Sequence, residues 1–256
     1  MSALAVAASA EWLKIRKAKI FIISIAAMCV LPLVCGLFLI ILTHPEFAAS
    51  SLLAQKAQIA GATDWSSYFS LLNQMMSIGG IIIFGFLAAW IFGREYSDRT
   101  VKDLLALPFP RSRLVSAKLL ALAAWCLLLT AISLVVAVVL GLIIGPAGFS
   151  TNVLLSGGMV FAVSAALNIL LATPVAFVAS SGRGYLPPIG FIIFTILFGQ
   201  VAEIIGIGAY FPWDLPAIYA GAAHDSVSTI GYILFMALVA LGAGATYAWW
   251  RYADQK

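Results

Sequence analysis

Nine of the 24 Lys, Arg, Asp and Glu residues in this chain fall in one stretch, 93–118. It reads GREYSDRTVKDLLALPFPRSRLVSAK and lies between two uncharged runs, 68–92 and 119–145. Thr100-Val101-Lys102-Asp103 has the capping-box pattern, with Thr100 as N-cap and Asp103 three residues on. Leu104, Leu105 and Leu107 follow, Pro108 and Pro110 stop the helix, and Ser112 is placed to cap the next one. The chemistry on offer is binding. Apolar groups rimmed by charge, here Glu95, Arg111 and Arg113, mark a partner site. A loop whose positive charges only fix topology explains the arginines. It does not explain a capped helix that presents leucines to water.

Other polar residues are scattered. Glu203 stands in apolar sequence, where an acid is costly and functional by default. Two readings of it stand: a side chain reaching interfacial water, or a group lining an exit path. Asn73, Gln74, Asn168 and Gln200 lie in or beside spans, where they line a pathway or hydrogen-bond between helices. His44 and His224 fall in outer loops and form no metal or base constellation. Cys29, Cys35 and Cys126 sit in apolar runs, without a CxxC or a Cys/His cluster, and read as packing residues. Membrane-embedded lipid-modifying enzymes need paired acids, metal ligands or a nucleophile–base couple. The spans offer at most Glu203.

The elements that position these residues are membrane spans. The 256 residues are 63% hydrophobic and 9% charged, against about 25% charged in soluble domains. Runs near the 20 residues a span needs occur at 20–43, 68–92, 119–145, 153–180, 184–202 and 226–250. The fifth opens with Pro187 and Pro188, which suit a helix start. The first is too long for a signal h-region and reads as an uncleaved anchor. With an inner N-terminus, thirteen of the 14 Lys and Arg lie inside and Lys56 alone outside. That positive-inside bias puts both termini in the cytoplasm. Leu4, Trp12, Leu13, Ile15 and the basic residues behind them suggest an amphipathic helix along the inner surface. The stretch 204–223 has too many Gly and Pro for a lipid-exposed helix. It reads as re-entrant, with Tyr210, Phe211, Trp213 and Tyr219 as interfacial aromatics. Gly141 and Gly145 make a small-xxx-small pattern for close helix contact.

The fold expected is therefore all-α and polytopic, a single domain over 1–256 with six transmembrane helices. Arg94-Glu95, Thr100, Leu104-Leu105, Pro108, Arg111, Arg113 and Lys118, in that order, resemble the membrane subunits of ABC-2 type exporters. The bacitracin-export and sodium-extrusion permeases are the nearest group. Glu11-Trp12-Leu13-Lys14, Arg183-Gly184-Tyr185, Phe211-Pro212-Trp213 and Leu215-Pro216 add to the resemblance. It implies an N-terminal elbow helix, a coupling helix between spans 2 and 3 that sits in an ATPase cleft, and a re-entrant segment before span 6. It also implies an exporter of a peptide antibiotic, lipid-like or other amphipathic substrate in the cell membrane. Partners would be a second permease copy, identical or paralogous, and a separate ABC ATPase. No GxxxxGK[ST] occurs, so ATP and Mg belong to that partner, and this chain needs no cofactor. No nucleic-acid partner is expected. An ion-coupled secondary transporter or sodium-extruding permease is the alternative.

Overall fold

The computed structural model describes residues 3–43, 63–101, 110–222 and 228–253. The predicted coupling residues Leu104, Leu105 and Pro108 lie outside the described residues, as do His44 and His224.

Six described helices are long and apolar enough to cross a membrane. They are α2 (Ile20–Thr43), α3 (Trp65–Ser97), α4 (Arg111–Ile144), α5 (Thr151–Ser181), α6 (Leu186–Ile204) and α8 (Thr229–Tyr252). A leading helix, α1 (Ala3–Lys17), precedes them. Between α6 and α8 come two 3₁₀ turns, Gly208–Tyr210 and Pro212–Asp214, and the short α7 (Leu215–Tyr219). Helices suit such apolar sequence because each satisfies its own backbone where no water can. Among the described residues the sole sheet-like pairing is a bridge from Asp64 to Ala147.

The helix ends follow from local chemistry. Asp64 caps α3 by accepting from the Ser67 N–H at 2.8 Å, and Ser150 caps α5 through the Val153 N–H at 3.2 Å. Helix α4 starts at Arg111 with Pro110 at the N-cap, so Ser112 lies inside the helix instead of capping it. Proline's fixed φ and missing N–H suffice to begin the turn.

Close approach organises the bundle. Helices α3 and α5 share the most extensive contact, where Gly80 leaves room for the Asn168 amide. Gly242 of α8 lies against the Pro174 backbone of α5, and a Cβ there would stand 2.5 Å from the proline nitrogen. Buried polar side chains pin other pairs. Tyr68 Oη donates to the Ala137 carbonyl at 2.9 Å, Trp125 Nε1 to Ser24 Oγ at 3.1 Å, and Trp250 Nε1 to Ser180 Oγ at 3.0 Å. Each such bond averages about 0.6 kcal/mol inside a membrane.

Two further expectations change. Gly141 receives the Trp65 ring, and Gly145 ends α4 in the left-handed region at φ 68°, so the pair forms no helix-contact stripe. Trp213 is not an interfacial aromatic. It is 9% exposed and packs with Leu171, Leu215, Phe235 and Val239 in a second small core.

Lys14, Arg16, Lys17, Arg94, Arg111, Arg113, Lys118, Arg183 and Arg251 gather at one end of the bundle, which we call the basic end. Asp64 and Glu203 mark the opposite, acidic end.

Candidate functional site

Lys118 lies two turns into α4 and is 1% exposed. Its Nζ donates to both carboxylate oxygens of Glu95, at 2.7 and 2.8 Å, and to the Ile91 carbonyl at 3.0 Å. Glu11 Oε2 stands 3.3 Å away. Lys14 closes the set, donating to Glu11 Oε1 at 2.6 Å and Glu95 Oε1 at 3.0 Å. Two acids and two bases thus join α1, α3 and α4. Burial disfavours the Lys14 ammonium, but Glu11 and Glu95 outweigh it and hold its pKa above the ordinary lysine value. Desolvating charges is expensive, and only a cluster with its donors and acceptors satisfied repays it. The Phe92 and Trp250 rings, each 5.9 Å from Nζ, wall Lys118 in.

The cluster sits at the root of the segment that leaves α3. Arg99 adopts φ 58°, with its N–H on the Tyr96 carbonyl, while the Thr100 N–H reaches the Glu95 carbonyl at 2.9 Å. This is a Schellman ending built on a non-glycine residue. It fixes the direction in which the chain departs. Thr100 then precedes the helical Val101, which is 7% exposed.

The predicted coupling residues therefore divide. Arg111, Arg113 and Thr100 are exposed at the basic end, and Arg94 is half-buried. Arg94 pairs with Asp98 at 3.1 Å and stacks 5.0 Å over Trp90, and Arg111 donates to the Arg251 carbonyl at 3.4 Å. Glu95 is 4% exposed, so it is not part of a polar rim. It is the centre of the cluster. The sequence reading missed its partners Glu11, Lys14 and Lys118. The available signal was Lys118 alone, a cation between Ala117 and Leu119 at the head of the apolar run 119–145.

Toward the acidic end, a cavity of about 240 Å³ opens between α3, α6 and the turns before α7. Of the five predicted pathway residues, Gln74, Gln200 and Glu203 line it, joined by Ser77, Thr195 and Asp214. Asp214 Oδ2 is buried with no hydrogen-bond partner among the described residues. Asn168 does not line the cavity. Its amide donates to the Met76 and Ser77 carbonyls at 3.0 and 3.3 Å, a tie between helices. Asn73 is also buried away from the cavity, at 5% exposure.

Residues 7–199 match the ABC-2 family transporter protein family. The chain belongs to the ABC-2 transporter family. It is 31% identical over 180 residues to the bacitracin transport permease protein BCRB of Bacillus licheniformis, covering 68% of this chain and 85% of that protein. All four residues of the ion cluster fall inside the stretch that matches the ABC-2 family. Gln200, Glu203 and Asp214 fall beyond it. The ABC-2 chain is thus a polytopic membrane transport protein whose most heavily buried charges, among the described residues, lie beside its predicted coupling segment.

Proposed function

We propose that this chain is the permease subunit of an ATP-driven exporter and works with a separate ABC ATPase. The basic end faces the cytoplasm, as the positive-inside bias requires. There the ATPase grips the helix after Thr100, with Leu104 and Leu105 as apolar knobs and Arg111 and Arg113 on the rim. The observation that carries this reading is the ion cluster. Because Glu95 is bonded to Lys118 and Lys14, a push on the segment 98–110 moves α1, α3 and α4 as one body. Such a rigid root is what nucleotide-driven movement needs if it is to reach the spans. Two ATPases call for two permease halves, so the working unit is a dimer or a heterodimer with a close relative.

The substrate proposed is a peptide antibiotic or another amphipathic molecule, since the relative's name specifies bacitracin transport and the spans are nearly free of charge. The cavity holding Gln74, Gln200, Glu203 and Asp214 would be a polar stage near the exit. The segment before α8 supports the re-entrant reading. Phe211 packs on Phe198 at 5.1 Å and Trp213 on Phe191 at 5.6 Å, so the chain runs back along α6 after Ile204. ATP and Mg would be bound by the ATPase.

Co-expression with a candidate ABC ATPase subunit tests the assignment. Inverted vesicles should take up bacitracin on ATP addition, and replacing Leu104 and Leu105 by Ser should abolish both ATPase capture and uptake. Uptake driven by an ion gradient without ATP would favour the secondary-transporter alternative, which the acids of the cavity make the second reading. Orientation is checked separately. Cysteines placed at Asp64 and Asp225 should react with an impermeant thiol reagent in sealed cells, and one at Arg111 should not.

A further inference from the structure

A groove of about 510 Å³ runs up the α2–α3 face from the basic end. Ile20, Ile23 and Ala27 of α2 form one wall and Ile83, Phe86 and Trp90 of α3 the other, with Tyr185 and Ile189 at the head of α6 beside them. Ile23 is 58% and Phe86 40% exposed, so no other described part of the chain closes over it. The stretch of α2 from Ile20 to Ala27 spans roughly 10 Å of helix, most of one leaflet's hydrocarbon depth of about 15 Å.

The mouth of the groove is cationic. Lys17 ends α1 just before the turn into Ile20, and one turn below Trp90 is Arg94; both line a hollow at the same end with Leu13 and Lys14. Lys14 is committed to Glu11 and Glu95. Asp98 takes the Arg94 Nε–H at 3.1 Å, but that pair is solvent-exposed and contributes little. The guanidinium fork has further donors to offer an anion. Lys17 is exposed.

We propose that this groove holds one anionic phospholipid of the adjoining leaflet, with its phosphate between Lys17 and Arg94 and an acyl chain between α2 and α3. A phospholipid matches both halves of the site, an anion for the cations and a chain for the apolar walls. A second copy of this chain fits worse, because a two-fold contact would bring the same cations to the same membrane level. The site needs no ATPase, so it stands apart from the function proposed above.

The full chain is extracted from vesicles of phosphatidylcholine and phosphatidylglycerol in equal amounts, and retained lipid is counted by native mass measurement. Phosphatidylglycerol should be retained in preference. Replacing Lys17 and Arg94 together by Gln should lower its retention roughly tenfold or more, since each basic residue near anionic lipid is worth about fivefold. Ala27→Phe, which fills the groove without altering charge, should also expel it. Arg251→Gln removes a cation from the same end on α8 and should leave retention unchanged. Equal retention of the two lipids would overturn the proposal, as would no effect of the Lys17 and Arg94 changes. So would an equal loss in Arg251→Gln, which means diffuse attraction, or an Ala27→Phe chain that keeps its lipid but loses an oligomer, which means a second copy fills the groove.

Discussion

Lys118 and Glu95, 23 positions apart and on different spans, form a two-pronged ion pair almost sealed from solvent. With Glu11 and Lys14 it makes a closed set of equal and opposite charge at the root of the segment between α3 and α4. Its parts are unequal in consequence, because removing one member strands the others.

Lys118→Met therefore leaves Glu95 with Lys14 alone. Breaking a buried pair from one side costs about 3–5 kcal/mol. The purified permease should show a large fall in thermal midpoint. Arg113→Gln, an exposed cation at the same end, should change it little.

The glycines of α8 give a second contrast. A Cβ at Gly242 meets Pro174 backbone, which cannot rotate away, whereas Gly244 has nothing within 4 Å. Gly242→Ala should cost about 1–3 kcal/mol through overpacking. Gly244→Ala should be neutral or gain up to about 1 kcal/mol from helix propensity. Comparing thermal midpoints of the two single variants checks this.

At the acidic end, Asp64 accepts the Ser67 backbone N–H, which holds its carboxyl below the usual aspartate pKa. A depressed acid stabilises the fold fully above its unfolded pKa of about 3.9. That contribution is lost as pH falls through the lower folded value. Asp64→Asn keeps a capping acceptor but cannot titrate. Wild type should therefore lose stability relative to Asp64→Asn on acidification below about pH 4, by up to about 1 kcal/mol.

Much of this architecture was legible beforehand. Apolar run length located all six spans, and the Pro187-Pro188 pair marked the start of α6. Charge alone separated the two ends. The ion cluster was not legible, because Glu11 and Lys118 lie 107 positions apart and no local rule pairs them. Glu95 looked like a surface charge since it stands among charges in sequence. Two residues before the helix end, it still faces inward. Trp213 misled in the opposite sense: its Gly- and Pro-rich surroundings suggested an interface, but the returning chain carries it into a core. Gln74, Gln200 and Glu203 were named separately, and only the fold brings them to one cavity.

The claim that the cluster transmits movement from ATPase to spans is tested most directly by bacitracin transported per ATP hydrolysed, measured with Glu95→Gln in reconstituted complexes that hold the ATPase in wild-type amount. Loss of charge-assisted hydrogen bonds worth about 1.5–3 kcal/mol at the joint should leave hydrolysis running and lower the ratio roughly tenfold. A ratio equal to wild type, from complexes equally well folded, would contradict the account.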